Sequence, residues 1–219
     1  MFRLDREAIA LRVAREFRDG DVVNLGIGIP TLAANYIPEG RTVWFHTENG
    51  AVGFGGSPPE GEEDIHMTNA GGGFVTALPG MSVFDTVEAF TIVRGGYLDV
   101  TVLGAMQVSE RGDLANWLRP GRLIGGIGGA MDIVAGAKRV IAAMEHTDKK
   151  GVPKIVRECT SPLTAVRCVN MIITDMAVIE VGEDGLTLTE HAPGLSVEEI
   201  QAATDAPLRV SSGLKEMEL

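Results

Sequence analysis

Glu48 is the residue best placed to do chemistry. Five of the six residues 42–47 are β-branched or aromatic, which predicts a short buried strand. Asn49 and Gly50 tolerate positive φ and end that strand in a turn. Glu48 then lies at the carboxyl end of a strand, where open α/β sheets bind ligands. An ionised carboxylate can act there as a nucleophile or general base, although a Glu before Asn-Gly is more often a solvated turn residue.

A glycine turn follows the strand predicted at residues 21–25. Gly26 and Gly28 precede a short helix predicted at 30–36, with Pro30 at a favoured first-turn position. The N-terminus of that helix could bind an anion through backbone N–H groups. The turn lacks the third glycine of the dinucleotide fingerprint and the Lys-Ser/Thr of a phosphate loop. A compact turn without a ligand is therefore an equal alternative.

A second glycine loop has four glycines within five residues, at 125, 126, 128 and 129. Side chains do not cover its backbone N–H groups, which could donate hydrogen bonds to a developing oxyanion. Another glycine-rich bend begins at Asn69. Two sets of residues are candidates for contact with substrate beside Glu48. For the oxyanion or for binding the ligand they are Gly128, Gly129, Asn49 and Gly50. For the substrate pocket they are Asn24, Gly26, Gly28 and Asn69.

Composition narrows the function classes. The chain has 219 residues and a formal net charge of −11, which argues against binding to nucleic acid or to anionic membranes. The sequence contains no run of about 18 apolar residues, so it predicts no membrane span. Cys159 and Cys168 form no CxxC pair, and no residues show metal-ligand spacing. With a charged N-terminal segment in place of an apolar signal, these features predict a cytoplasmic, metal-free protein.

Strand and helix patterns alternate along the chain and then give way to strands. This order predicts an α/β fold, an open mixed sheet flanked by helices and partly antiparallel toward the C-terminus. We expect a single domain over residues 1–219, with a loose tail at 211–219. The predicted helices are 6–18, 30–36, 84–94 and 197–203, and the predicted strands are 21–25, 42–47, 98–104, 139–146, 154–158, 176–181 and 186–189.

Nine short stretches together resemble one family. They are NLGIGIP at 24–30, ENG at 48–50, PG at 79–80, RGG at 94–96, LGAMQV at 103–108, LANW at 114–117, GGAMD at 128–132, MEH at 144–146 and CTSPLT at 159–164. Their order and spacing resemble the B (β) subunit of the 3-oxoacid coenzyme A-transferases, the family I CoA-transferases, over about residues 4–210.

The resemblance implies a ribose-phosphate-isomerase-like fold and a catalytic role for Glu48. In that family the glutamate attacks an acyl-CoA and forms an acyl-glutamyl anhydride and then a glutamyl-CoA thioester. Gly128 and Gly129 match the loop associated with the oxyanion and the pantetheine arm. The resemblance also implies an A subunit as partner, in a heterodimer or a dimer of heterodimers, and no cofactor beyond the CoA thioester substrate.

The acid pair stays open at this point. Succinyl-CoA or a similar donor with a 3-oxoacid such as acetoacetate is the first expectation, but many succinyl-CoA-using relatives carry Lys where this chain has Gly72. Acetate or butyrate as partner acid, 3-oxoadipate and glutaconate-type transfer are alternatives. An acyl-CoA hydrolase, which admits water to the glutamyl thioester, and a non-catalytic binding relative are the other classes.

Overall fold

The computed structural model describes residues 3–118 and 126–219. Its helices are α1 (Arg6–Ala14), α2 (Ile29–Leu32), α3 (Thr86–Arg94), α4 (Ala130–Gly136) and α5 (Val197–Ala202), and a 3-10 turn (Ala33–Asn35) follows α2. Its strands are β1 (Val22–Leu25), β2 (Trp44–Thr47), β3 (Ala51–Phe54), β4 (Ala77–Val83), β5 (Val100–Leu103), β6 (Gln107–Ser109), β7 (Leu114–Ala115), β8 (Arg139–Ala143), β9 (Ile155–Val156), β10 (Met171–Ile173), β11 (Ala177–Gly182), β12 (Gly185–His191) and β13 (Leu208–Glu216).

One large mixed sheet organises the fold. Its strand order is β13-β12-β11-β10-β8-β5-β1-β2-β3-β4, and β7-β6-β9 form a smaller sheet. The five central strands β10, β8, β5, β1 and β2 are parallel to one another. Their carboxyl ends therefore meet at one edge, which is where an α/β sheet places a ligand. The predicted open mixed sheet is confirmed.

Local sequence explains where three of the helices begin. Asp5 accepts a hydrogen bond from the amide N–H of Ala8, and Asp85 accepts two at the start of α3. Ser196 and Glu199 form a reciprocal capping box at the start of α5. These side chains satisfy amide groups that the first turn of a helix leaves without partners.

The core fills the space between α1 and the sheet. Ile9, Val13 and Phe17 are buried, and the Phe17 ring meets Phe45 of β2 edge-on with 6.1 Å between ring centroids. The central strands β5 and β8 are buried along almost their whole length, as expected for parallel strands covered on both faces. No helix among the described residues is long and apolar enough to cross a membrane.

The structure corrects four expectations at element ends. The helix predicted at 6–18 ends at Ala14, after which the chain continues in i→i−3 turns to residue 17. The segment after the Glu48 turn forms strand β3, which is absent from the predicted strands, and it pairs antiparallel with β2 and β4. Antiparallel pairs thus flank the parallel centre on both sides. Residues 211–216 of the tail predicted to be loose belong to β13, which pairs parallel with β12.

Candidate active site

A cleft of about 410 Å³ lies at the carboxyl ends of β2, β1, β5 and β8. We call it the Glu48 cleft. Six of the residues singled out from the sequence line it, and they are Asn24, Gly26, Gly28, Glu48, Gly128 and Gly129. The cleft forms because the parallel register brings strand ends together that are far apart in sequence.

Glu48 is held at the edge of the sheet by its neighbour on β1. The Asn24 side-chain Nδ2 donates to Glu48 Oε2 at 3.2 Å and also lies 3.3 Å from the His46 carbonyl oxygen. Asn24 is 1% exposed, and its Oδ1 accepts a hydrogen bond from the Thr101 hydroxyl at 3.3 Å. Thr86 donates to the Glu48 carbonyl oxygen at 2.8 Å. Backbone and carboxylate of Glu48 are therefore both fixed, while the side chain stays half-exposed to the cleft.

His46 is buried directly behind Glu48. Its Nε2 donates to the Ala89 carbonyl at 3.2 Å, its ring stacks on Phe84, and its Nδ1 has no hydrogen-bond partner among the described residues. Burial lowers its pKa by disfavouring the imidazolium, and the Ala89 hydrogen bond and the Glu48 charge oppose this only in part. A neutral imidazole therefore sits behind the carboxylate at neutral pH.

Asn49 and Gly50 support the turn and do not line the Glu48 cleft. The Asn49 amide donates to the Thr68 carbonyl at 2.8 Å and accepts from the Thr47 hydroxyl at 2.7 Å. Gly50 has φ +118°, and a Cβ there would lie 2.0 Å from the Phe84 carbonyl oxygen. The turn thus needs glycine at this position because of a close backbone approach.

The turn after β1 closes one wall of the cleft. A Cβ on Gly26 would lie 2.9 Å from a Leu103 methyl carbon and 3.2 Å from the Val102 carbonyl oxygen. Gly28 has φ +100° and precedes α2, and its carbonyl accepts from the Thr31 hydroxyl at 2.7 Å. Both glycines therefore have a steric or conformational reason to be glycine, whatever ligand they contact.

The second glycine loop also lines the cleft. Among the described residues, the amide N–H groups of Gly128 and Gly129 have no backbone acceptor. Gly128 has φ +54°, and a Cβ on Gly129 would lie 2.6 Å from the Phe90 ring of α3. Two backbone amides without an acceptor in the described part of the chain thus line the same cleft as the Glu48 carboxylate, and amide donors of this kind can stabilise an oxyanion. The part of this loop at 123–125 lies outside the described residues.

Asn69 lies in a different pocket. Its Oδ1 accepts from the amides of Gly71 at 2.9 Å and Gly73 at 3.1 Å, which folds the bend on itself. This bend lines a separate cavity of about 240 Å³ on the side of β2 that carries Thr47. The structure thus places Asn69 apart from the other substrate-pocket candidates.

Sequence reasoning missed several residues that line the Glu48 cleft or hold its parts. Asn116, Glu145, Lys154 and Arg6 line it. Thr101 holds the Asn24 side chain, and Thr86 holds the Glu48 backbone. Glu145 follows β8 and so was open to the strand-end argument applied to Glu48. Arg6 and Lys154 reach the cleft through tertiary packing. From the sequence, Lys154 is only a possible contact for an acidic ligand, with a solvated charge as the default.

Comparisons with known proteins identify the family. The sequence profile described as "Coenzyme A transferase" matches residues 6–203. This chain belongs to that family. A mouse protein named "Succinyl-CoA:3-ketoacid coenzyme A transferase 2B, mitochondrial" is 50% identical over 97% of this chain, which spans 41% of the mouse protein. An Escherichia coli protein named "Acetate CoA-transferase subunit beta" is 46% identical over 95% of both chains.

The fold comparison agrees with the family. The solved apoenzyme of the acyl-CoA transferase YdiF from Escherichia coli O157:H7 superposes with a TM-score of 0.75 at 28% identity. The match covers 99% of this chain and 45% of that one. This chain therefore corresponds to less than half of some longer relatives and to nearly the full length of others.

Proposed function

We propose that this chain is the B subunit of a CoA-transferase in which Glu48 carries the CoA covalently. The observation that supports this role is the placement of Glu48 at the end of β2, hydrogen-bonded to Asn24, in a cleft that Gly128 and Gly129 also line. No other carboxylate among the described residues both lines this cleft and is held by a buried amide.

The chemistry follows from that placement. A Glu48 oxygen attacks the thioester carbonyl of an acyl-CoA, CoA leaves as its thiolate, and an acyl-glutamyl anhydride forms. The thiolate then attacks the glutamyl carbonyl, which releases the free acid and leaves a glutamyl-CoA thioester. The carboxylate of a second acid attacks that thioester, and the steps reverse to give a new acyl-CoA. Water would hydrolyse the anhydride and the glutamyl-CoA thioester, so the site must exclude it.

We propose a 3-oxoacid such as acetoacetate as one acid and succinyl-CoA or a short-chain acyl-CoA as the donor. The names of two relatives support these choices. The mouse protein is named for succinyl-CoA and a 3-ketoacid, and the Escherichia coli protein is named for acetate. Gly72 has φ +77° and no neighbour within 4 Å of its virtual Cβ, so the position where many relatives carry Lys is open here. Kinetics with a panel of acids distinguishes the pairs.

The partner and compartment are part of the same proposal. The Escherichia coli relative is called a subunit, and the mouse relative has more than twice the matched length, so we propose that an A subunit supplies the remaining part of the site. We also propose a cytoplasmic location. Its support is that Cys159 and Cys168 do not form a disulfide.

Intact mass spectrometry tests the role of Glu48. The chain, purified with its A subunit, is mixed with acetoacetyl-CoA or succinyl-CoA without acceptor acid. We expect a CoA-sized adduct that maps to Glu48, is absent in Glu48→Ala and persists in Glu145→Ala, which removes the other carboxylate of the cleft.

Other results would contradict the proposal in different ways. Steady release of CoA without an adduct would indicate the hydrolase. Neither adduct nor CoA release across a range of acyl-CoA donors would show that Glu48 does not have the proposed role.

A further inference from the structure

The Glu48 cleft has a second charged end. Its floor is formed by four adjacent parallel strands in the order β2, β1, β5 and β8. Glu48 directly follows β2, and Glu145 follows β8 by two residues. Three strand spacings separate the two ends, or roughly 14 Å. The cleft is therefore elongated along the edge of the sheet, with a carboxylate at each end.

The described cations that line the cleft lie at its β8 end. Among the described lining residues only Arg6, Glu48, Glu145 and Lys154 are charged. Arg6 Nε lies 4.0 Å from Glu145 Oε1, and the Lys154 amide donates to the carbonyl of His146, the residue after Glu145. Two basic side chains therefore line this end of the cleft. Glu145 lies beside Arg6, and Asp148 lies near enough to Lys154 for the ammonium charge to help lower the pKa of its carboxyl.

We propose that Arg6 and Lys154 bind the phosphate groups of CoA while its thiol end reaches Glu48. This inference rests on the proposed function. The phosphates of CoA are separated from the sulfur by the long pantetheine arm, so a site that binds both ends needs cations well away from the reacting carboxylate. Guanidinium and ammonium groups form charge-assisted hydrogen bonds with phosphate oxygens.

Glu145 weakens phosphate binding at this site. Its ion pair with Arg6 is exposed, with 64% and 52% of the two side chains accessible, so the pair is weak and open to competition from a phosphate. The carboxylate also repels an incoming anion. Replacing Glu145 by an uncharged residue should therefore tighten CoA binding, which is the opposite of the effect at Arg6 and Lys154.

The distance between the two ends predicts a change in binding and not in chemistry. Roughly 14 Å of strand spacing exceeds the Debye length of about 10 Å at 0.1 M salt. Removing a cation at the β8 end should thus raise KM for the acyl-CoA and leave kcat almost unchanged. The KM and kcat for a phosphate-free donor should not change when a cation is removed, because that donor has no phosphate for these side chains to bind.

The test compares acetoacetyl-CoA with acetoacetyl-pantetheine on the complex with the A subunit. We expect Lys154→Gln and Arg6→Gln each to lower kcat/KM roughly ten-fold for the CoA thioester and to leave the pantetheine thioester unchanged. Glu145→Gln should raise kcat/KM for the CoA thioester about three-fold. Lys149→Gln, an exposed lysine that does not line the cleft, should change neither donor.

Equilibrium binding separates this proposal from the proposed function. Titration calorimetry with CoA and with pantetheine needs no turnover, so it reports on the cations even if the complex transfers no CoA. Weaker CoA binding in Lys154→Gln and Arg6→Gln, with pantetheine binding unchanged, supports the phosphate site. Equal losses for both ligands, or no loss for either, would overturn it.

Discussion

At the scale of single residues, the feature that matters is the pairing of Asn24 with Glu48. Asn24 is buried between β2 and β5, with the Thr101 hydroxyl on its oxygen and the Glu48 carboxylate near its nitrogen. A buried amide in this position has one orientation that satisfies both contacts. It therefore fixes the direction from which the carboxylate meets a substrate, and productive geometry is sensitive to such positioning.

We predict that Asn24→Ala slows formation of the glutamyl-CoA adduct by roughly 10- to 100-fold. The adduct rate from quenched mass spectrometry and the KM for acyl-CoA are the measurements, and we expect the rate to fall much more than KM rises. Asn35→Ala serves as control, because Asn35 Oδ1 accepts from the Ser57 amide outside the Glu48 cleft. Equal effects of the two variants would show that Asn24 has only a structural role.

At the scale of elements, the β2–β3 turn sets the position of Glu48. The Gly50 amide donates to the Thr47 carbonyl at 3.0 Å, and the Phe84 amide donates to the Gly50 carbonyl at 3.0 Å. The turn is thus tied to the segment that starts α3, whose Thr86 holds the Glu48 backbone. Strain introduced at Gly50 would reach the carboxylate through only two residues.

We predict that Gly50→Ala lowers the free energy of unfolding by about 3 kcal/mol and abolishes most transferase activity. The cause is a Cβ placed 2.0 Å from the Phe84 carbonyl oxygen, added to an unfavourable φ of +118°. Gly40→Ala is the matched control, since Gly40 has φ +78° with open space around it and should cost only about 1 kcal/mol. Denaturant unfolding and initial rates measure both, and similar losses in the two variants would contradict the steric explanation.

The C-terminal strand shows how tertiary contacts order a segment of weak local pattern. Residues 211–219 carry few apolar residues, so no local pattern predicts a strand there. In the structure β13 pairs with β12, and Met217 is buried. Lys215 Nζ lies 3.7 Å from Glu190 Oε1. The edge of β12 supplies the backbone partners that the segment cannot provide for itself.

At the scale of the whole molecule, His146 joins three elements. Its Nδ1 lies 2.9 Å from the Thr174 hydroxyl beyond β10, and its Nε2 lies 2.8 Å from the Thr204 hydroxyl after α5. Its backbone amide donates to Asp175. The pKa of His146 is lowered to about 4, mainly because burial disfavours the imidazolium. The charge of Asp175 opposes this shift, and the charges of Arg3 and Lys154 add to it.

This pKa makes stability depend on pH. The folded-state pKa lies below the ordinary value of 6.5, so the unfolded chain binds more protons between those values, and stability rises with pH across that window. We predict a contribution of about 2 kcal/mol between pH 5 and pH 7. Urea unfolding of the wild type and His146→Gln should show it as a steeper pH dependence in the wild type. His191→Gln should keep the steep dependence, and a wild-type profile no steeper than that of His146→Gln would refute the assignment.

The sequence by itself determined the fold class, the family motifs and the strand-end position of Glu48. Each of these depends on local chemistry: β-branched runs form strands, Asn-Gly ends them, and capping residues such as Asp5 and Ser196 begin helices. The glycine loops were also recognisable, because glycine is needed where backbone is strained or closely approached. These signals lie within a few residues of the feature they predict.

The tertiary structure alone decided which candidates meet. Parallel pairing places Asn24 beside His46 and Thr101, which are 22 and 77 residues away in sequence, and so brings an amide to Glu48. The same packing removes Asn69 to another pocket and brings Arg6 and Lys154 to the far end of the cleft. Register between distant strands is set by the burial of their shared faces, and no local pattern encodes it.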